Sequence, residues 1–275
     1  RALHGEIERR GLSCAIDIAE AAEIAALLDD EDFRALRPHR THYAGHNNSV
    51  HYGGKYREYV KDFLGDPDIA PLIGHKLSYH AYWADRDDGE DRLVAYRRAL
   101  RDTMMRHAPQ ARLWQTEFCN LNEDGPGRDL GIDTALYAAR VIHHDLVVAQ
   151  VSSWQWWLAV SPHDYKDGLI YTDYARPGDP ETIFPSKTLW ALGHYSRFVR
   201  PGAVRVACAG AEDTRGVMAS AYVHDRDRTV TIVAVHYGDA AAALSLEGEL
   251  PEEMDVYRTT ADDEVNLLRD GKWRR

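Results

Sequence analysis

Residues 112–120 read Arg-Leu-Trp-Gln-Thr-Glu-Phe-Cys-Asn, a short apolar run from Arg112 to Glu117 that closes on a carboxylate beside aromatic residues. A run of this length predicts a buried strand. A carboxylate at its end carries a desolvation cost that is offset either by a structural Arg or by use of the group in chemistry. Working outward, similar runs recur at Cys14 to Ile18, Lys76 to Tyr82 and Val148 to Trp157. Amphipathic stretches lie between them. Gly89 to Arg106 carries Leu93, Tyr96, Leu100 and Met104 at helical spacing, and Asp133 to Asp145 carries Leu136, Ala139, Arg140 and His143. Alternating strands and helices predict an α/β fold with a parallel sheet, and in a βα barrel the C-terminal strand ends face the active site.

A longer insertion, Leu27 to Gly74, separates the first two strands, with Pro38, Gly45, Asn47, Asn48, Gly53 and Gly54 as loop signals and a helix expected around Lys55 to Leu64. After Arg200-Pro-Gly the texture changes. Val204 to Ala209, Val217 to Val223, Thr229 to His236 and Ala243 to Leu246 read as strands, with a polar turn at Asp225 to Arg228. An antiparallel β module is expected there.

The 275 residues are 44% hydrophobic, enough for a packed core, and carry 33 Lys plus Arg against 44 Asp plus Glu, a formal net charge of −11. The acidic residues are scattered, which argues against nucleic acid as partner. No apolar run approaches the ~20 residues needed to span a bilayer, so no membrane is expected. Cys14, Cys119 and Cys208 sit in apolar contexts without the spacing of a metal site or a disulfide framework. Residues 1–11, Arg-Ala-Leu-His-Gly-Glu-Ile-Glu-Arg-Arg-Gly, read as a helix interior with Leu3 and Ile7 on one face and Gly11 as C-cap, without the layout of a signal peptide. The expectation is a chain cut from a longer protein. At the other end, Asp270-Gly-Lys-Trp-Arg-Arg275 follows a turn signal and stops as though a further strand had been removed.

Three strand ends could carry chemistry. Glu117 is the first. The second is Ser152-Ser-Trp-Gln-Trp-Trp157, where alternation sends Trp154 and Trp156 to one face and Trp157 to the other. Aromatic faces stack on sugar rings and indole N–H groups donate to hydroxyls, while ordinary core packing explains any one of these rings. The third is Ser78-Tyr-His-Ala-Tyr-Trp83, whose His80 and Tyr82 share a face and can both bond a carboxylate or a sugar hydroxyl, or simply be satisfied in a core. His39, His42, His46, His51 and the pair His143-His144 lack a His-Glu-x-x-His or comparable spacing, so no metal is expected. Neither a Gly-x-Gly-x-x-Gly turn, a P-loop nor a Gly-x-Ser-x-Gly elbow occurs, which removes the main support for nucleotide binding and serine hydrolysis; no cofactor is expected.

Together with Asp129-Leu-Gly-Ile-Asp-Thr-Ala-Leu-Tyr-Ala-Ala-Arg-Val-Ile-His-His-Asp145, Trp154-Gln-Trp-Trp157 and Asp164-Tyr-Lys-Asp-Gly-Leu-Ile-Tyr171, these motifs resemble glycoside hydrolase family 30, the retaining (β/α)8-barrel glycosidases, and in particular its endo-β-1,6-galactanase-like members. Ser186-Lys-Thr-Leu-Trp-Ala-Leu-Gly-His-Tyr-Ser-Arg-Phe-Val-Arg-Pro-Gly202 is similar to the family's passage from the last barrel helix into a β-sandwich. The resemblance implies the C-terminal part of a TIM barrel, strands five to eight, over residues 1–200, followed by part of an antiparallel β-sandwich over 201–275. Cys14 to Ile18 would be barrel strand five, Lys76 to Tyr82 strand six, Arg112 to Glu117 strand seven and Val148 to Trp157 strand eight.

The same resemblance implies that Glu117 is the nucleophile and that His80, Tyr82, Trp83, Trp154, Trp156 and Trp157 line the sugar subsite. The family's acid/base is a Glu in an Asn-Glu-Pro motif at the end of strand four, and no Asn-Glu-Pro occurs in this sequence. That motif would lie upstream of Arg1, and the chain alone is expected to be inactive. Glu20 follows strand five and is read as a sugar-hydroxyl ligand rather than a substitute acid. The implied substrate is a β-linked oligo- or polysaccharide, with β-1,6-galactan first and β-1,6-glucan and xylan behind it. A polymeric substrate implies secretion or a periplasmic location, and the open edges of a half barrel imply self-association. Two other readings stand beside this one: a non-catalytic carbohydrate-binding protein that uses the strand-end aromatics, and a purely structural domain.

Overall fold

The computed structural model describes residues 1–36, 58–85, 92–121, 127–173, 178, 181–210 and 215–275. These fall into two compact units, Arg1–Phe118 with His144–Trp156, and Cys119–His143 with Trp157–Arg275.

In the first unit the described strands form a parallel sheet in the order β1 (Ala19–Ala21), β2 (Lys76–His80), β3 (Arg112–Glu117) and β4 (Ser153–Trp154). Strand β2 is central, and four of its five residues are buried, as expected for a strand packed on both faces. Helix α1 (Ala2–Arg9) precedes the sheet. It ends where Gly11 adopts φ +61°, so that Leu12 N–H reaches back to the Ile7 carbonyl at 3.1 Å, the glycine-capped stop read from the sequence. A short helix, α2 (Asp30–Ala35), follows β1. Helix α3 (Arg92–His107) connects β2 to β3 and buries Leu93, Tyr96, Leu100 and Met104, the face its periodicity predicts.

The structure corrects several boundaries. Pairing with β2 begins only at Ile18, whose carbonyl accepts from Ser78 N–H, so the strand expected at Cys14 to Ile18 is displaced to Ala19–Ala21. Cys14 is exposed rather than part of an apolar strand. The run expected as a strand from Val148 starts instead as a π-helical turn, Asp145–Ala149, which Gln150 ends in a left-handed conformation; only then does β4 form. The helix expected around Lys55 is seen as a π turn at Val60–Leu64. Lys55, the four histidines at 39, 42, 46 and 51, the loop signals from Pro38 to Gly54, and Gly89, where the sequence reading begins the helical stretch, lie outside the described residues.

In the second unit, helix α4 (Ile132–His144, of which residues 132–143 belong here) and helix α5 (Lys187–Ser196) contribute to a core of Ala135, Ala139, Ala191, Met218 and Val235. Strands β5 (Val160–Ser161), β6 (Ile170–Thr172) and β7 (Ile183–Pro185) form one small sheet. Strands β8 (Val204–Val206), β9 (Val217–His224) and β10 (Thr229–His236) form an antiparallel sheet, its β9–β10 hairpin closed by the turn expected at Asp225 to Arg228. No strand forms at Ala243 to Leu246. The last pair is β11 (Glu253–Arg258) with β12 (Leu268–Arg274), so the C-terminal Asp270–Arg274 segment is itself part of a strand. Charged side chains alternate on this pair, which hid it from a hydrophobic reading: Lys272 and Arg274 both meet Glu253, and Arg269 meets Asp255.

Candidate active site

The C-terminal end of β2 is flanked on both sides by β-bulges. On one side Ala19 pairs with Ser78 and Ala21 with Tyr79, which leaves Glu20 as the extra residue. On the other, Gln115 pairs with Tyr79 and Glu117 with His80, which leaves Thr116 extra. An extra residue reverses the inside–outside alternation of a strand. Without it, Glu117 would share the face of Leu113 and Gln115; with it, Glu117 turns to the face of His80. The two extra residues meet there, Thr116 Oγ1 donating to Glu20 Oε2 at 2.7 Å.

Around Glu117 two groups converge. The Tyr82 hydroxyl donates to Glu117 Oε1 at 3.0 Å. His80 Nδ1 lies 3.7 Å from the same oxygen, and His80 Nε2 lies 2.8 Å from Glu20 Oε2, so the imidazole stands between two carboxylates. Glu117 is about a quarter exposed, at 26%, against 48% for Glu20, which leaves both carboxylates within reach of a ligand from solvent. His80 and Tyr82 rings meet edge to face at 5.9 Å, and Trp83 packs against Tyr82 at 5.8 Å between centroids. Trp83 holds φ 58°, a left-handed turn rare for a bulky side chain, which directs the chain away immediately after the site.

One layer below, on the same face of β2, Lys76 pairs with Asp17 at 2.8 Å and lies over the Trp114 ring at 3.8 Å, while Ser78 donates to Asp17 at 2.5 Å. Burial works to raise the Asp17 pKa, but the bonds from Lys76 and Ser78 outweigh it and hold the carboxyl below its ordinary value. This layer fixes the floor beneath His80.

Trp154 is expected as a sugar-facing ring and is found elsewhere. It pairs in register with Gln115, on the opposite face from His80, and its indole N–H donates to Asp145 Oδ2 at 2.8 Å. That N–H is therefore committed to the protein. Trp154 reaches the site through Phe118, whose ring lies 6.0 Å from Trp154, 6.0 Å from Trp156 and 6.0 Å from Tyr82. Trp157 is exposed and belongs to the second unit.

Sequence reasoning missed the group behind this wall. Asp145 and Arg97 are fully buried and joined at 2.7 Å, and Arg97 also donates to the carbonyls of Ala84 and Leu93. The pair thus ties the loop after Tyr82 and Trp83 to the Trp154 indole. Burial first, then the Asp145 charge, pushes the Tyr79 phenol well above its usual range. The available signal was an acidic residue closing an apolar helix and leading straight into Leu146-Val-Val, where a buried charge needs a partner. Among the described residues no group of three or more His, Cys, Asp or Glu side chains is arranged to hold a metal ion, and no helix is long and apolar enough to cross a membrane.

Comparison with known proteins supplies the context for this geometry. The model of O-glycosyl hydrolase family 30 matches residues 1–171. Glucuronoxylanase XynC of Bacillus subtilis (strain 168) is 30% identical over 157 residues, covering 56% of this chain and 33% of that protein. The chain therefore spans about a third of that curated relative's length. Among solved structures, a conserved exported protein from Bacteroides fragilis matches with a TM-score of 0.77 at 23% identity, over 99% of this chain and 54% of that one. A GH30 endoxylanase from Clostridium papyrosolvens C71 matches with a TM-score of 0.58 at 16% identity, over 96% of this chain and 53% of that one. The fold is accordingly an α/β fold related to the TIM-barrel catalytic domain, together with a β-rich region.

Proposed function

The chain belongs to glycoside hydrolase family 30, and from that premise we propose that it is the nucleophile-bearing part of a retaining β-glycosidase. In this reading residues 1–200 supply strands five to eight of the barrel and 201–275 part of a β-sandwich. Glu117 attacks the anomeric carbon through an oxocarbenium-like transition state and forms a covalent glycosyl-enzyme, which water then hydrolyses. The observation that carries the reading is the hydrogen bond from Tyr82 to Glu117 beside His80, at the C-terminal end of a parallel strand. A donor on one carboxylate oxygen steadies the ionised nucleophile and fixes its orientation toward an incoming sugar.

The second carboxyl of such a mechanism must stand about 5 to 5.5 Å from the first and protonate the leaving oxygen. We assign that role to a Glu outside residues 1–275, since the sequence holds no Asn-Glu-Pro. Glu20 already accepts bonds from Thr116 and His80 through Oε2 and supports hydroxyl binding through Oε1. Trp83 and Trp156 contribute ring faces to the sugar. The substrate proposed first is a β-1,6-linked galactan, with β-1,6-glucan and xylan as alternatives, handled by a secreted or periplasmic protein. A purely sugar-binding role, with Trp154, Trp156, Tyr82 and Trp83 as a stacking platform, is less well supported, because Trp154 pairs in register with Gln115 on the face opposite His80.

The test uses the longer protein with a 2-deoxy-2-fluoro-β-glycosyl fluoride. Mass spectrometry should find the adduct on the peptide carrying Glu117 and lose it in Glu117→Gln; an adduct on any other residue would overturn the assignment. Residues 1–275 alone, with the acid/base absent, should release no product from β-linked oligosaccharide. Multiple turnovers by this chain, abolished in Glu117→Gln, would overturn the separation of the two carboxyls.

A further inference from the structure

We propose that Glu20 is a positioning residue for His80: it fixes the imidazole in one tautomer, with the proton on Nε2 and the unprotonated nitrogen, Nδ1, turned to Glu117. An ionised carboxylate can only accept hydrogen bonds, so the 2.8 Å contact between Glu20 Oε2 and His80 Nε2 requires the hydrogen on Nε2. The nitrogen that gains or loses a proton is then Nδ1, 3.7 Å from Glu117 Oε1.

Two further observations show that the backbone is built around this contact. Ala19 and Glu20 are consecutive non-glycine residues with φ 84° and 45°, conformations that L side chains adopt at a cost and that persist where the surroundings over-determine them. That strained pair forms the β1 bulge, which brings the Glu20 carboxylate over the end of β2. The β3 bulge supplies the second support, because its extra residue, Thr116, donates to the same Glu20 oxygen at 2.7 Å and keeps the carboxylate aimed at Nε2. The titratable groups in contact with the imidazole are Glu20 from β1, Glu117 from β3 and, through its ring edge, Tyr82 from the following loop. Among the described residues only Glu20 sits at hydrogen-bond distance, so it decides the tautomer.

The consequence for catalysis rests on the reading of Glu117 as nucleophile. A single tautomer places any second proton on His80 next to the attacking carboxylate, so that the charge state of Glu117's neighbourhood follows one nitrogen rather than an exchanging pair. The tautomer itself does not depend on that reading.

The test separates the two. Long-range proton–nitrogen correlation spectra of the uniformly nitrogen-15-labelled 275-residue chain, with His80 assigned by its loss in His80→Gln, report which ring nitrogen is protonated in the neutral form. The expected result is Nε2–H alone in the wild type, a mixture of tautomers in Glu20→Ala, and recovery of Nε2–H in Glu20→Gln, whose amide carbonyl still accepts. Glu20 is half exposed, so both variants are expected to fold. A wild-type proton on Nδ1, or a Glu20→Ala spectrum identical to wild type, would overturn the proposal. In the longer protein, the pH profile of fluoroglycosyl labelling at Glu117 should change in Glu20→Ala and return in Glu20→Gln. An unchanged profile despite mixed tautomers would overturn the catalytic consequence, whereas absence of labelling in the wild type would tell against the glycosidase reading and leave the tautomer result standing.

Discussion

The Tyr82 hydroxyl donates to Glu117 Oε1 at 3.0 Å while the Tyr82 ring lies nearly parallel to Phe118, with centroids 6.0 Å apart and planes 20° from each other. The two roles reside in different parts of one side chain, and a single substitution separates them. In Tyr82→Phe the ring keeps its stack and the carboxylate loses its donor. A hydrogen bond to a charged group contributes about 1.5–3 kcal/mol, which corresponds to a roughly 10- to 150-fold fall in kcat/KM if the bond acts in the transition state. The melting temperature should stay close to wild type. The labelling rate of Glu117 in the longer protein measures the effect, and an unaltered rate would remove Tyr82 from the nucleophile's surroundings.

Arg97 and Asp145 form a buried pair whose two halves are unequal in what they leave behind. Burial alone would lower the Arg97 pKa, yet the Asp145 charge and hydrogen bond raise it, so the guanidinium remains charged. Asp145→Ala removes the carboxylate that neutralises this buried charge and frees the Trp154 indole. Breaking such a pair costs about 3–5 kcal/mol. Denaturant unfolding followed by tryptophan fluorescence should show the midpoint falling sharply in Asp145→Ala and less in Asp145→Asn, which keeps an acceptor for Trp154. Equal losses in the two variants would show that the indole bond contributes nothing.

Much of the first unit is legible in the sequence because it depends on local periodicity. Leu93, Tyr96, Leu100 and Met104 mark the buried face of α3, and Gly11 marks the end of α1. The bulges are not legible. Simple alternation along Arg112–Glu117 puts Glu117 with Gln115, and only the pairing with β2 reveals the extra residue at Thr116. Trp154 fails for a related reason: its residue type suggests a sugar platform, but register and a partner nine residues upstream determine where its ring goes. The β11–β12 pair escapes a hydrophobic pattern because it is held by the backbone ladder and charged cross-strand contacts.

Gly168 stands where a side chain has no room. A Cβ there would lie 2.9 Å from the Tyr171 ring and 3.0 Å from the Ile170 carbonyl oxygen. Tyr171 cannot yield easily, since its hydroxyl accepts from Gly168 N–H at 3.0 Å and donates to the Tyr165 carbonyl at 2.8 Å. Overpacking of this kind costs about 1–3 kcal/mol. Gly168→Ala should lower the thermal midpoint, and Gly168→Ala combined with Tyr171→Phe should lose less than the sum of the two single changes, because a ring without its hydroxyl anchors can move away from the added Cβ. Strict additivity would mean the clash is relieved elsewhere.

His143 makes the stability of the second unit depend on pH. Burial first, and the Arg205 charge second, push its pKa down from the ordinary 6.5 to about 4. Above about pH 6.5 the imidazole is neutral in both the folded and the unfolded chain, and the full stability is present. As pH falls toward 4 the unfolded chain takes up a proton that the folded chain does not, so stability declines across that window by up to about 3 kcal/mol from this group. Below about 4 the folded chain is protonated as well, and the decline from His143 ends. His194, buried and likewise pushed down to about 4, adds loss of the same sign over the same window. Denaturant unfolding at pH 7.0, 5.5 and 4.5 should therefore give a steeper fall in wild type than in His143→Gln, with the gap widening toward low pH. Parallel curves for the two proteins would mean that His143 is not held neutral in the folded state.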